Sequence, residues 1–174
     1  GRDEAARQLR RLLTDQSIGC TGLLASASRT TSVKTRIIAH HQQVVRVDRE
    51  TRAPVDERDG RKLLAAIERE LPGTDAVIVC DYGKGVVTEA LLKGVRQLCR
   101  ARGIWLSLDP KPVHELSLAG LSLLTPNRKE AFELAGVPDG TRNTDPLKDP
   151  NLQRVAETLL MELNPADRKS TRLN

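Results

Sequence analysis

The sequence predicts an α/β fold with a mainly parallel sheet and a small β-hairpin, and three observations predict it. From residue 56 to residue 136, short apolar runs alternate with amphipathic stretches, the pattern left by parallel strands joined through right-handed crossover helices. The run "DAVIVC" (75–80) is short, apolar and rich in β-branched residues, the signature of a strand buried on both faces. "TSVKTRIIAHHQQVVRVDRE" holds two β-rich runs, 33–39 and 43–48, around a polar turn at 40–42, which reads as a hairpin.

The elements follow in order. The chain opens inside a helical pattern, with Ala5, Leu9, Leu12 and Leu13 on one face. After the hairpin, Leu63, Leu64, Ile67 and Leu71 make the stripe of a helix that Pro72 and Gly73 terminate. Strand 75–80 leads to a helix over about 88–102, with Leu91, Leu92, Val95, Leu98 and Cys99 inward and Gly103 at its C-terminal end. "IWLSLD" (104–109) and "LSLLT" (121–125) are the next strands, and a last helix begins over 129–135. At that start, in "LLTPNRKEAFELAG", Asn127 and Glu130 have the spacing of a helix cap. A phosphate or metal site at a helix N-terminus is the other reading of the same pair.

Composition narrows the function. The chain has 174 residues, 39% hydrophobic and 29% charged, which suits one soluble domain or part of one. No apolar run approaches the roughly 18 residues of a membrane span, and "GRDEAARQLRR" lacks the apolar core of a secretory signal; a cytoplasmic protein is expected. Net charge is +5, yet the basic residues are scattered among acids, and Trp105, Tyr82 and Phe132 are the only aromatics. Stacking on bases needs more than that, so neither nucleic acid nor a membrane is an expected partner. Cys20, Cys80 and Cys99 fit no metal spacing; Cys80 and Cys99 read as core fillers.

In an open parallel sheet the strand C-termini share the edge where ligands bind. Three successive strands here leave through "CDYGKG" (80–85), "LDPK" (108–111) and "TPNRKE" (125–130). Helix capping explains one such ending and not all three, because Lys is disfavoured at a helix N-terminus. Gly83 and Gly85 permit close backbone approach beside Asp81 and Lys84.

The same stretches carry a resemblance. "VKTRIIAHHQQVVRVD", "VIVCDYGKGVVT", "LSLDPK" and "LLTPNRKEAFELAG", in this order, together with "GRDEAARQLRRLL" as a first helix, resemble the ribokinase-like (PfkB) sugar kinases. The resemblance is closest to the kinase domain of heptose 7-phosphate kinases acting in ADP-heptose synthesis. It covers about residues 1–160 and implies the middle of a three-layer, ribokinase-like domain: a partial kinase domain over 1–166 with a hairpin lid at about 33–48. The family's N-terminal glycine motif has no match here, and neither does the glycine-rich segment that supplies the anion hole and the catalytic Asp. No catalytic residue is therefore assigned, and the 174-residue chain is expected to be silent in turnover. Residues 167–174, "DRKSTRLN", resemble a translated sequencing adapter; a disordered natural tail is the alternative.

The resemblance implies ATP and Mg²⁺ as cofactors and a sugar phosphate as substrate. Asn127 and Glu130 match the family's Asn-x-x-Glu motif, with Glu130 holding the metal through water and Asn127 beside it. Lys129 is placed on a nucleotide phosphate or free in solvent, and Asp109 and Lys111 at the nucleotide or in a bridge between loops. Lys34, Arg36 and Arg46, on one face of the hairpin by their spacing, are candidates for the sugar phosphate, against an exposed charged face as the alternative. Lys84 is assigned to a phosphate, and Asp81 to a sugar hydroxyl or to that lysine. A homodimer through the lid is implied in the same way. The other readings are a kinase for ribose, fructose or a nucleoside, and a non-catalytic binding module for a nucleotide or sugar phosphate.

Overall fold

The computed structural model describes residues 1–113, 115–140 and 143–163; the expected tail at 167–174 lies outside them. The chain divides into two compact units, one of Gly1–Leu71 with Lys84–Val86, the other of Pro72–Gly83 and the chain from Val87.

The first unit opens with α1 (Glu4–Asp15). Asp3 caps it, accepting from the Ala6 N–H at 2.9 Å and from the Thr31 N–H at 2.8 Å. These donors, Thr31 foremost, hold the Asp3 carboxyl well below the usual carboxylate range. The helix buries no residue fully: Ala5 and Leu13 are half-buried while Leu9 and Leu12 are exposed. Strands β1 (Val33–Ala39) and β2 (Gln42–Arg49) pair antiparallel. His40 and His41, at φ 48° and 64°, make the tight connection, since two left-handed residues match the twist of the flanking strands. The turn is thus one residue shorter than the expected 40–42. A bulge between Ile37 and Ile38 shifts the register near the tip. Helix α2 (Glu57–Glu70) is capped by Asp56, which accepts from the Asp59 N–H at 2.7 Å, and it buries Ala66.

The second unit is built on β3 (Ala76–Cys80), β4 (Trp105–Asp109) and β5 (Leu123–Leu124), parallel and adjacent in that order. Helix α3 (Glu89–Arg102) connects β3 to β4; Thr88 caps its start, and Gly103, at φ 65°, closes its end by donating to the Arg100 and Cys99 carbonyls. That left-handed turn favours glycine. Helices α4 (Arg128–Leu134) and α5 (Pro150–Leu163) follow, the latter after a 3₁₀ turn at Pro146–Lys148. The core joins Leu92, Val95 and Cys99 of α3, Leu106 and Leu108 of β4, Phe132 of α4, and Val155 and Leu159 of α5.

Expectation and structure part at β3. Its residues alternate between half-buried and exposed, and Ile78 is 70% exposed. The side chains of Ala76, Ile78, Cys80, Trp105 and Leu123 share the sheet face opposite the buried leucines of β4, and all five are exposed. β3 is therefore buried on one face only, and Cys80 is exposed rather than a core filler, unlike the buried Cys99. The period-2 geometry explains both: a continuous apolar run fills two faces, and the helices of this unit cover one. Strand 121–125 also shrinks to two residues, although Ser122 and Thr125 still donate backbone N–H groups to Leu106 and Leu108. No helix among the described residues is long and apolar enough to cross a membrane.

Candidate functional site

At the carboxyl edge of the β3–β4–β5 sheet the three strand exits are tied together. The Asp81 N–H donates to the Asp109 carbonyl at 2.9 Å, and the Asp81 Oδ1 accepts from the Gly83 N–H at 2.9 Å. Asp81 itself is buried. Gly83, at φ 63°, lies against the next loop: a Cβ there would sit 2.9 Å from a Val113 methyl and 3.2 Å from Lys111 Cγ. The close approach expected of this glycine is thus made to another loop of the chain.

Lys111 reaches across to α4, placing Nζ 3.0 Å from Glu130 Oε1. Glu130 Oε2 accepts from the Asn127 N–H at 3.0 Å, while Asn127 Oδ1 accepts from the Glu130 N–H at 3.1 Å. This is a complete capping box, two orphan donors satisfied reciprocally. Burial pushes the Glu130 carboxyl up, but the Asn127 N–H and the Lys111 ammonium outweigh it and leave the pKa lowered. Asn127, Glu130 and Lys111 therefore form one cluster. Lys129 does not join it; it points to solvent, 84% exposed, near Glu133. Asp109 lies on the exposed sheet face beside Cys80 and Thr125, and Lys111, expected to act with it, pairs with Glu130 instead.

Arg128, between Asn127 and Lys129, carries no sequence signal and is fully committed. It makes a forked contact with Asp139, with Nη2 2.7 Å and Nε 3.0 Å from the carboxylate. It also reaches the wholly buried Asp149 at 2.9 Å. Asp139 chiefly, with Asp149, holds its guanidinium pKa well above the ordinary value. Asp149 in turn accepts from the Asn151 and Leu152 N–H groups at the start of α5, so this arginine ties α4 to α5.

The second cluster belongs to the first unit. On one hairpin face Arg36 stands directly opposite Arg46, and Lys34 directly opposite Asp48. Asp48 accepts from Arg46 Nε at 2.8 Å and lies 3.7 Å from Lys34 Nζ. Arg36 has no ion pair or hydrogen bond among the described residues. Like charges directly opposed across a sheet are destabilising, and an anion between them removes the penalty. Lys84 also belongs to this unit: its ammonium is 2.6 Å from Glu50 Oε1. The loop "CDYGKG" thus divides, Asp81 with the sheet and Lys84 with the hairpin. Glu50 was invisible to sequence reasoning, since an acid after a strand reads as surface charge; only its burial marks it.

A metal ion can be tested against these residues. Both Glu130 oxygens already accept hydrogen bonds, and the Asn127 side-chain oxygen is used in the cap. No group of three or more His, Cys, Asp or Glu among the described residues has the arrangement of a metal site. Each Glu130 oxygen keeps one lone pair, so the cluster fits an ion held through its own water shell, as Mg²⁺ commonly is, and does not fit direct ligation.

The chain resembles known proteins over most of its length. It is 37% identical over 156 residues to the bifunctional protein HldE of Syntrophotalea carbinolica, covering 90% of this chain and 30% of that protein. The HldE of Wolinella succinogenes is 39% identical over 137 residues, covering 79% and 29% respectively. That of Desulfatibacillum aliphaticivorans is 34% identical over 161 residues, covering 92% and 31%. The chain spans about three tenths of the length of these relatives. No family model matches the sequence. Among solved structures, the crystal structure of Sa239 superposes with a TM-score of 0.66 at 17% identity, over 93% of this chain and 50% of that one, a likeness of fold.

Proposed function

We propose that this chain is part of an ATP-dependent sugar-phosphate kinase of ribokinase-like fold. It serves transfer of the γ-phosphoryl group to the anomeric hydroxyl of a heptose 7-phosphate, as the kinase part of a bifunctional enzyme of ADP-heptose synthesis. The observation that carries the reading is the hairpin face: Arg36 directly opposite Arg46, with Lys34 beside them. Asp48 offsets only part of this charge, and the remainder suits a dianion, which arginine contacts through paired N–H donors. The similarity to bifunctional proteins at 34–39% identity supports the same assignment.

In this reading Lys34, Arg36, Arg46 and Lys84, all of the first unit, bind the sugar phosphate. Lys111 neutralises nucleotide phosphate charge, with Asp109 and Lys129 as outlying polar contacts to ATP. Glu130, with Asn127 fixing its loop, orients water around Mg²⁺. When bound, that ion neutralises phosphate charge, which phosphoryl transfer depends on. The Asp that takes the hydroxyl proton in such kinases has no match among these residues, so the test reads binding. The opposite hairpin face, Thr35, Ile37, Val45 and Val47, is exposed, which supports a homodimer through the lid.

Calorimetric titration of the chain with heptose 7-phosphate provides the test, with Arg36→Gln and Arg46→Gln alongside. Each variant is expected to weaken binding by about tenfold, the worth of one charge-assisted contact. Equal affinity for heptose and its 7-phosphate would remove the phosphate from the recognition and the reading with it.

A further inference from the structure

Glu50 lies one residue beyond β2, and its side chain is only 7% exposed. Its Oε1 accepts from Lys84 Nζ at 2.6 Å and from Arg52 Nε at 2.8 Å, while Oε2 is buried without a partner. These donors, Lys84 first, lower the carboxyl pKa to about 2. Burying a carboxylate is unfavourable unless it is paired, and fastening the turn does not require it. Arg29 already clamps that turn, donating to the carbonyls of Thr51, Ala53 and Lys84, and the Val55 N–H donates to the Gly85 carbonyl at 2.8 Å. What Glu50 adds is a fixed position for the ammonium.

We propose that Glu50 is the positioning residue for Lys84, with Arg29 fixing the backbone beneath it. One N–H of the ammonium is committed to the carboxylate, and the two that remain meet the substrate phosphate at a set place. A free lysine surrenders its rotamer freedom on binding; Lys84 has surrendered it in advance. The inference rests on the reading of Lys84 as a phosphate contact.

The test is calorimetric titration with heptose 7-phosphate of the wild-type chain, Lys84→Gln, Glu50→Gln and Glu50→Asp, each with its melting temperature. Lys84→Gln is expected to weaken binding by about tenfold or more. Glu50→Gln is expected to weaken it by about three- to tenfold, the worth of one immobilised side chain. Glu50→Asp, which keeps the charge, recovers to within about twofold of wild type. Wild-type affinity in Glu50→Gln with weak binding in Lys84→Gln overturns the positioning role and leaves the Lys84 contact standing. Wild-type affinity in Lys84→Gln removes that contact and the inference together. Should Glu50→Gln lose its melting transition, the Lys84 ammonium protons decide by NMR in the wild-type chain without ligand. A slowly exchanging Nζ resonance is expected, and rapid exchange overturns the proposal.

Discussion

A single carboxylate, Glu130, shows how one residue serves two ends. Its oxygens complete the helix cap with Asn127 and hold Lys111 at 3.0 Å. Asn127→Ala is expected to lower stability by about 1 kcal/mol through the lost cap, which for a chain of this size is a drop of about 2–4 °C in melting temperature. Acid acts on the same groups. Glu50, with its pKa lowered from 4.5 to about 2, and Glu130, also lowered, contribute stability that is present above the unfolded value. It is lost as pH falls toward the folded one. Urea titrations are therefore expected to show stability declining between about pH 5 and pH 2, with a smaller decline in Glu50→Gln; an unchanged slope contradicts the pairing. The cap was legible because its side chains are three residues apart. The Lys84–Glu50 pair was not, because its partners lie 34 residues apart and no periodicity links them.

At the scale of elements, the segment 84–86 is bound to 52–55 through a backbone approach that only glycine allows. Gly85 sits at φ 70°, and a Cβ there would collide with the Ala53 carbonyl. Gly85→Ala is expected to cost more than about 1 kcal/mol and to speed hydrogen exchange at the Val55 amide, which bonds to the Gly85 carbonyl; an unchanged exchange rate contradicts the packing. The hairpin makes the complementary prediction. Arg36→Gln relieves the repulsion across β1 and β2, so the unliganded variant is expected to melt no lower than wild type while losing the stabilisation that added heptose 7-phosphate confers. Although α5 and the strand order drew no expectation, the hairpin, helices α1 to α4 and the three sheet strands were legible from period and turn residues. The depth to which β3 is buried was not, because an apolar run states that two faces could be covered and not that both are.

For the whole molecule, two compact units carry two clusters: a cationic hairpin face with a held lysine, and a carboxylate–lysine–asparagine cluster at the edge of a parallel sheet. The α/β class, with its parallel sheet and hairpin, followed from the chain's own pattern, while Arg128 and Glu50 emerged only from burial and distance. The central claim is that these residues serve phosphoryl transfer to a sugar phosphate. It is tested most directly in a chimaera, with this chain replacing the matching stretch of the Syntrophotalea carbinolica relative. ADP release from ATP with heptose 7-phosphate, and pyrophosphate release from ATP with heptose 1-phosphate, are measured separately, each with and without Glu130→Gln. The account predicts that the substitution sharply reduces ADP release and leaves pyrophosphate release unchanged. Loss of pyrophosphate release with ADP release intact would contradict it.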